Sequence, residues 1–305
     1  MSTTQQAVAI GQSVGTTRLR RHGWHSGLFG RDYAWALGFA IPYIVIFLLF
    51  VVYPIIYGLW LGSEPSLYTD LVEDPRYAMA LVNTLIYVGV GVNLHIIGAF
   101  LLSGFFMRKR WWVKALLVLY ILPWATPALP AFLSIHWFFD GQYGMMNNLL
   151  YYLFGVDGPV YLNSRWLGLS CDIAAYVWKN MPFWTVIFLA GRMAIPTELY
   201  EAAEVDGATG IRRFTNVTWP LMANLYFVCT LLSTIFTLGD FNAVFFVSGG
   251  GPAMSTEVLA TLGIRYAFTL SLPRLGVAEV MTALPVMIPL VFLLMRKLRM
   301  SERQL

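Results

Sequence analysis

An all-α integral membrane protein with six transmembrane helices is the fold class this sequence predicts, and three observations carry the prediction. Of 305 residues, 58% are hydrophobic and 12% charged, whereas a soluble domain carries roughly a quarter charged residues. Apolar runs recur at about the 20-residue length that crosses a hydrocarbon core. The basic residues gather between those runs, where they set topology. The formal charge of +4 is therefore a topology signal, not the footprint of a nucleic-acid partner.

Residues 1–33 are polar and carry Arg18, Arg20, Arg21 and Arg31. No small-residue cleavage pattern follows a short apolar core, so this stretch reads as a cytoplasmic tail and the first apolar run as a retained anchor. The apolar domain spans 34–295, with spans expected at 34–60, 80–107, 112–137, 171–194, 217–247 and 275–295. The third contains "LPWATPALP", so Pro123, Pro127 and Pro130 must bend or break it, with the freed carbonyls facing protein or a water-lined cavity. The fifth is long enough to be tilted. Residues 296–305 form a short C-terminal tail.

Charge placement orients these spans. The N-terminal tail, the 2–3 turn from Arg108 to Lys114, the 4–5 region with Arg192, Arg212 and Arg213, and the C-terminal Arg296, Lys297, Arg299 and Arg303 hold most of the basic residues. The intervening loops carry only Arg76, Arg165, Arg265 and Arg274. The positive-inside rule places both termini and the 4–5 insert in the cytoplasm. On the far side, the long 3–4 loop predicts an interfacial or re-entrant helix around Tyr143–Phe154. Cys171 and Cys229 read as small buried hydrophobes, and no metal-ligand spacing occurs.

The polar insert "ELYEAAEVDGATGIRRFTNVTWP" reads as a short helix, a glycine turn and a second helix. Pro196 ends the fourth span, Thr197 is placed to cap the new helix, and Glu198 and Glu201 favour its positive end. Leu199, Ala202, Ala203 and Asp206 share a narrow face of mainly small residues. Gly207 is suited to a left-handed turn and Gly210 to a second flexible point. Phe214 and Val217 form a short ridge, and Pro220 fits the first turn of the next span. A helix this short is marginal alone and needs a surface to dock against.

"EAAEVDGATGIRRFTNVTWPLM" resembles the EAA motif of the permease subunits of binding-protein-dependent ABC importers. Glu201, Ala202, Ala203, Asp206, Gly207, Ala208, Phe214 and Pro220 match it. The approach "VWKNMPFWTVIFLAGRMAIP" is similar to the maltose-type carbohydrate branch, through Trp178, Lys179, Pro182, Phe183, Ala190, Gly191, Ile195 and Pro196. Further matches are Asn83–Leu85, Leu122–Ala128, Gly144 with Asn147, and Gly250–Pro252 followed by Thr256. The resemblance extends from the first span to the last. Two positions depart from the family pattern: Arg192 stands where leucine is common, and Asn224 where a second proline often lies.

The resemblance implies a type I ABC importer permease fold in a bacterial inner membrane, with a cytoplasmic coupling-helix region at 197–215. It implies translocation of a sugar, glycoside or related polyol, driven by ATP hydrolysis in a separate subunit. The implied partners are a second related permease, with a heterodimer favoured, two copies of an ATPase, and a periplasmic or lipid-anchored substrate-binding protein. ATP and Mg belong to the ATPase subunits. The chain lacks a Walker pattern, so it reads as non-catalytic, with no cofactor of its own.

Asp240, Asn242, Thr237, Trp178 and Phe241 are the candidates for the substrate pathway. Carboxylates and amides suit hydroxyl recognition, and aromatic faces suit sugar stacking. The alternative for Asp240 is a buried partner to a neighbouring helix, and for the two aromatics a lipid-facing belt. Glu279 reads as interfacial, Lys179 as snorkelling near the far side, and His95 as a satisfied packing residue. A secondary transporter would need coupled titratable groups or an inverted repeat, and a membrane enzyme a converging cluster; neither pattern is visible.

Overall fold

The computed structural model describes residues 31–302, with side chains from 35 to 299. Most of the expected N-terminal tail and the end of the C-terminal tail lie outside the described residues. The chain divides into two units, Met1–Tyr57 and Gly58–Leu305. Described residues are helical or in short connections, as the apolar, strand-poor pattern predicts.

In the first unit, α1 (Arg31–Phe47) passes through a π-helical turn, Leu48–Val52, into α2 (Tyr53–Leu61). Pro54 has no amide hydrogen to offer the carbonyl four residues back, and widening the turn before it relieves that clash. Trp35–Leu61 forms one apolar run of spanning length.

In the second unit, α3 (Pro65–Glu73) leads to α4 (Pro75–Phe106). Asp74 caps α4, its carboxylate accepting from the Arg76 amide at 2.8 Å, and Pro75 occupies the first turn, where no donor is missed. Next come α5 (Trp111–Ala125) and α6 (Ala128–Phe138), which bend by 98° at the proline cluster. The loop expected to hold a helix around Tyr143–Phe154 forms α7 (Met145–Phe154), ended by Gly155 in the left-handed region. The expected fourth span corresponds to α8 (Arg165–Met193), a continuous 29-residue helix. Pro196 leads into α9 (Thr197–Val205), followed by α10 (Gly210–Arg213), a π-turn at Phe214–Thr218, and α11 (Trp219–Leu238). The second π-turn again precedes a proline, Pro220, by two residues.

The expected fifth span does not run on to residue 247. It ends at Leu238; Gly239 and Asp240 turn the chain, and α12 (Asn242–Val247) packs on α6 and α8 as a separate helix. A short, apolar α12 needs no lipid contact, because Ala243, Val244 and Val247 are buried against protein. Then α13 (Leu259–Ile264), a π-turn at Arg265–Thr269, α14 (Pro273–Met281) and α15 (Leu284–Glu302) complete the chain.

Among the described helices, four are long and apolar enough to cross a membrane, and the bent α5–α6 pair supplies a fifth. The remaining expected span, α8, has the length but carries more polar groups, including Asp172 and Lys179. Its partners explain them. Helix α8 packs along α4 and also touches α5, α11 and α12, so it is the central post of the unit. One apolar core joins Tyr87, Leu169, Ile173, Tyr176 and Val244, and a second joins Ile96, Phe100, Trp184, Phe188 and Met222. Cys171 and Cys229 are buried and free, as expected.

Lys179 does not reach outward along an interface. Its ammonium turns into the break between α5 and α6 and donates to the carbonyls of Pro123, at 3.0 Å, and Thr126, at 2.7 Å. Prolines that interrupt a helix free carbonyls that must find donors in a low-dielectric setting. Lys179 supplies them.

Candidate functional site

The polar insert is built from the end of its first helix. The amide of Ala208 donates to the carbonyl of Ala203 at 2.8 Å, and that of Gly207 to Glu204 at 3.0 Å. Gly207 stands at φ +73°. This pair of bonds is a Schellman ending, in which the left-handed residue is almost always glycine because it lacks a Cβ. Gly210, at φ +55°, makes the second turn. The Ala-Ala, Gly and Ala positions of the motif therefore specify how α9 stops. Thr197, however, does not cap it: Pro196 occupies the capping position, and no side-chain bond closes the first turn.

Burial sorts the remaining motif residues. Ala208 is buried and Ala203 half-buried, whereas Glu201, Ala202, Asp206 and Gly207 are exposed. Leu199, Val205 and Ile211 are exposed as well, with Val205 at 88% and Ile211 at 81%. The insert thus turns an acidic and apolar face outward. Its inner face is tied to the bundle through Tyr200, whose hydroxyl meets Thr218 at 3.3 Å, and through Phe214, whose ring lies edge-on to Phe100. Pro220 sits in the first turn of α11, as expected. Arg192 lies just below: its guanidinium donates to the Ser103 hydroxyl at 2.7 Å and the Phe100 carbonyl at 3.1 Å, and stacks on the Phe100 ring.

The pathway candidates meet only in part. Asp240 accepts from the Tyr87 hydroxyl at 2.9 Å and the Ala243 amide at 3.2 Å. Thr237 is buried and accepts from Tyr176, at 2.7 Å, while donating to the Ser233 carbonyl. Asn242 and Phe241 adjoin Asp240, and Phe241 stacks on Phe245 with ring centroids 4.3 Å apart. Trp178 stands apart, lining an apolar groove with Val90, Leu94 and Ile173. It is two residues from Tyr176, which places it about 200° around the helix, away from Thr237. His95 is fully buried, bonded to the Gly91 carbonyl and to Ser233.

A third polar cluster, at the start of α4, joins motif fragments far apart in sequence. Asn83 donates to the carbonyls of Ser255 and Glu257, both at 2.8 Å, and accepts from Arg165 at 2.9 Å. Thr84 accepts from the Leu259 amide at 2.8 Å. Ser248 donates to Asp172 at 2.8 Å and lies 2.9 Å from the Thr256 hydroxyl, which donates to the Gly251 carbonyl. Glu257 pairs with Arg265, which also holds the Gly249 carbonyl at 2.9 Å. Burial pushes the Glu257 carboxyl up, against the opposing pull of its bonds to Thr261 and Arg265. The glycine-rich 249–251 turn is therefore fastened at both ends, by Arg265 at Gly249 and by Thr256 at Gly251.

Sequence reasoning missed Asp172, Glu257, Tyr87, Tyr176 and Arg165 as members of these networks. Asp172 carried a usable signal, since a carboxylate one residue inside an apolar run demands a partner. Glu279, expected at the interface, is turned into the protein. It is fully buried against α13, and neither carboxylate oxygen meets a hydrogen-bond donor among the described residues. No group of three or more His, Cys, Asp or Glu side chains is arranged to hold a metal ion among the described residues.

Residues 95–304 match the family described as "Binding-protein-dependent transport system inner membrane component". The chain is 34% identical over 196 residues to the sulfoquinovosyl glycerol transport system permease protein SmoG of Agrobacterium fabrum, a match that covers 63% of this chain and 62% of that protein. It is 26% identical over 239 residues to the trehalose/maltose transport system permease protein MalF of Thermococcus litoralis, covering 74% and 81%. A chain in the crystal structure of a bacterial alginate ABC transporter, in complex with an alginate pentasaccharide-bound periplasmic protein, superposes with a TM-score of 0.77 at 21% identity, covering 89% of this chain and 96% of that one. That likeness gives the fold.

Proposed function

The chain belongs to the inner-membrane components of binding-protein-dependent transport systems, and from that premise we propose that it is the permease that moves a sugar, glycoside or related polyol inward. As a permease it is a non-catalytic, multi-pass membrane subunit. ATP hydrolysis, with its Mg, is assigned to a separate subunit present in two copies, and the pore to a pair of related permeases. Delivery falls to a periplasmic or lipid-anchored binding protein. The carbohydrate class is supported by the relatives, whose names specify sulfoquinovosyl glycerol and trehalose or maltose.

The observation that carries the reading is the insert itself. A helix of nine residues, sharply stopped at Gly207, projects acids and bare apolar side chains from the bundle end where Arg192, Arg212 and Arg213 gather. Those arginines favour a cytoplasmic setting for that end, with both chain termini on the same side. A short helix with this exterior gains stability by docking, and its inner contact from Tyr200 to Thr218, the residue before α11, is the route by which a displacement would reach that helix. Glu201, Ala202, Ala203, Asp206, Gly207, Ala208, Phe214 and Pro220 are assigned to this coupling. Asp240, Asn242 and Thr237 are assigned to the pathway, where their present partners Tyr87 and Tyr176 would have to part for a hydroxylated solute to enter; Phe241 and Trp178 offer it apolar faces.

The test is a mild-detergent pull-down of the tagged chain from its native membranes, with mass spectrometry of what stays bound. The expected result is an ATPase and a second six-span protein. A chain that comes out alone and still transports sinks the reading. Asp206→Lys is expected to abolish uptake with membrane insertion intact.

A further inference from the structure

Arg192 and Arg213 face a cavity that the coupling role does not use. The cavity, of about 330 Å³, is bordered by Gly104 and Met107 of α4, Tyr200 of α9, Thr218, and the two arginines. Neither guanidinium is ion-paired among the described residues: Arg192 bonds a hydroxyl and a carbonyl, and Arg213 lies over the Tyr200 ring. The ion pairs among the described residues join Arg76 to Asp74, Arg265 to Glu257 and Arg274 to Glu64, and leave both arginines out. Gly104 lies against the Arg192 guanidinium, whose carbon would be in ordinary contact, 3.6 Å, with a Cβ at that position.

Directly beside it runs an apolar groove of about 440 Å³ between α4 and α11, lined by Ile97, Phe100, Leu101, Phe214, Trp219 and Tyr226. Phe214 borders both spaces, and Phe100 carries Arg192 on its face at 4.5 Å. Ile97, Leu101 and Gly104 are spaced i, i+4, i+7, so they lie on one face of α4 and descend about 10 Å along its axis. A long apolar slot therefore opens at one end onto two unpaired cations. Water-soluble anions have no use for the slot, and a lipid tail alone has none for the cations.

We infer that this composite site holds one anionic phospholipid, its acyl chain in the Ile97–Leu101–Trp219 groove and its phosphate against Arg192 and Arg213. The lipid would then sit against α9 and the start of α11, so the membrane's anionic content would bear on the coupling element. The inference rests on the proposed orientation only for which leaflet supplies the lipid. Its readout is binding, so it can fail while the transport reading stands, and the reverse.

The experiment is native mass spectrometry of the delipidated full-length chain, with and without its co-purifying subunits, titrated with phosphatidylglycerol or phosphatidylcholine of identical chains. Retention of phosphatidylglycerol over phosphatidylcholine is expected. Arg213→Gln should weaken it by about fivefold, in line with the contribution of one basic residue at an anionic lipid surface. Arg192→Leu should do the same and Arg192→Lys restore most of it, while Leu101→Trp, which fills the groove, should weaken both lipids. Because Arg213 is exposed, its variant tests the site even where Arg192→Leu fails to fold. Equal binding of the two lipids, or no change in Arg213→Gln, overturns the proposal. So does displacement of the lipid by millimolar inorganic phosphate, which would mark a soluble-anion site. Loss of the lipid whenever the ATPase is bound would also overturn it, by giving the arginines to a protein partner.

Discussion

At the scale of single residues, Asp74 makes three kinds of contact through one carboxylate. It caps α4, pairs with Arg76 at 2.6 Å, and accepts from the Tyr266 hydroxyl at 2.6 Å. The Arg76 bond, with help from Tyr266 and the Arg76 amide, holds its carboxyl down at about 2, against the ordinary 3.8. A depressed carboxyl binds fewer protons folded than unfolded, so its contribution is present above pH 3.8 and lost as pH falls toward 2. Asp74→Ala should lower stability by about 1 kcal/mol at pH 7, the usual worth of a lost cap, and should flatten the acid limb in that window. Thermal unfolding of the detergent-solubilised chain, followed from pH 7 down to pH 2, checks both. An unchanged acid limb in the variant would remove Asp74 as its source.

At the scale of elements, the sequence was most legible where covalent constraint decides conformation. Prolines 123, 127 and 130 announce the α5–α6 break, and Gly207 announces the end of α9. It was least legible where a side chain's role depends on what crosses it. Nothing near Lys179 in the chain says that carbonyls more than fifty residues away will need its protons. Nor does Thr197 reveal that Pro196 will take the capping position, or the apolar stretch after Leu238 that Gly239 and Asp240 will divide it. Two predictions belong here. Lys179→Met strands the Thr126 carbonyl, leaves that of Pro123 with the Thr126 hydroxyl alone, and should cost about 1–3 kcal/mol, whereas Lys179→Arg should avoid much of that loss; apparent melting midpoints distinguish them. At Gly207 a Cβ would meet nothing within 4 Å, so only the positive φ resists substitution. Asparagine tolerates that region and β-branched residues do not. Gly207→Asn should therefore keep most uptake and Gly207→Val little; equal activity would show that the turn is not needed.

At the scale of the whole molecule, the two ends of α4 are finished differently. Near its start, Asn83, Thr84, Arg165, Asp172, Ser248, Thr256 and Glu257 bond to one another and to the 249–259 backbone. Sequence fragments that looked like separate family signatures, Asn83–Leu85 and Gly250–Pro252 with Thr256, are two sides of this one fastening. That could be read only once the fold brought them together. Near the other end, the surface of the α9–α10 insert is left unfinished: Leu199, Val205 and Ile211 stay exposed, with Glu201, Glu204 and Asp206 exposed as well. In the proposed assembly that face is covered by the ATPase. Burying a side chain of this size contributes roughly 1.5–3 kcal/mol, so Val205→Asp and Ile211→Asp should each weaken association with the ATPase by at least about tenfold. The quantity to measure is the amount of ATPase retained on the tagged chain at matched membrane insertion. Full retention with both aspartates present would mean that the exposed side of the α9–α10 insert is not where the two proteins meet.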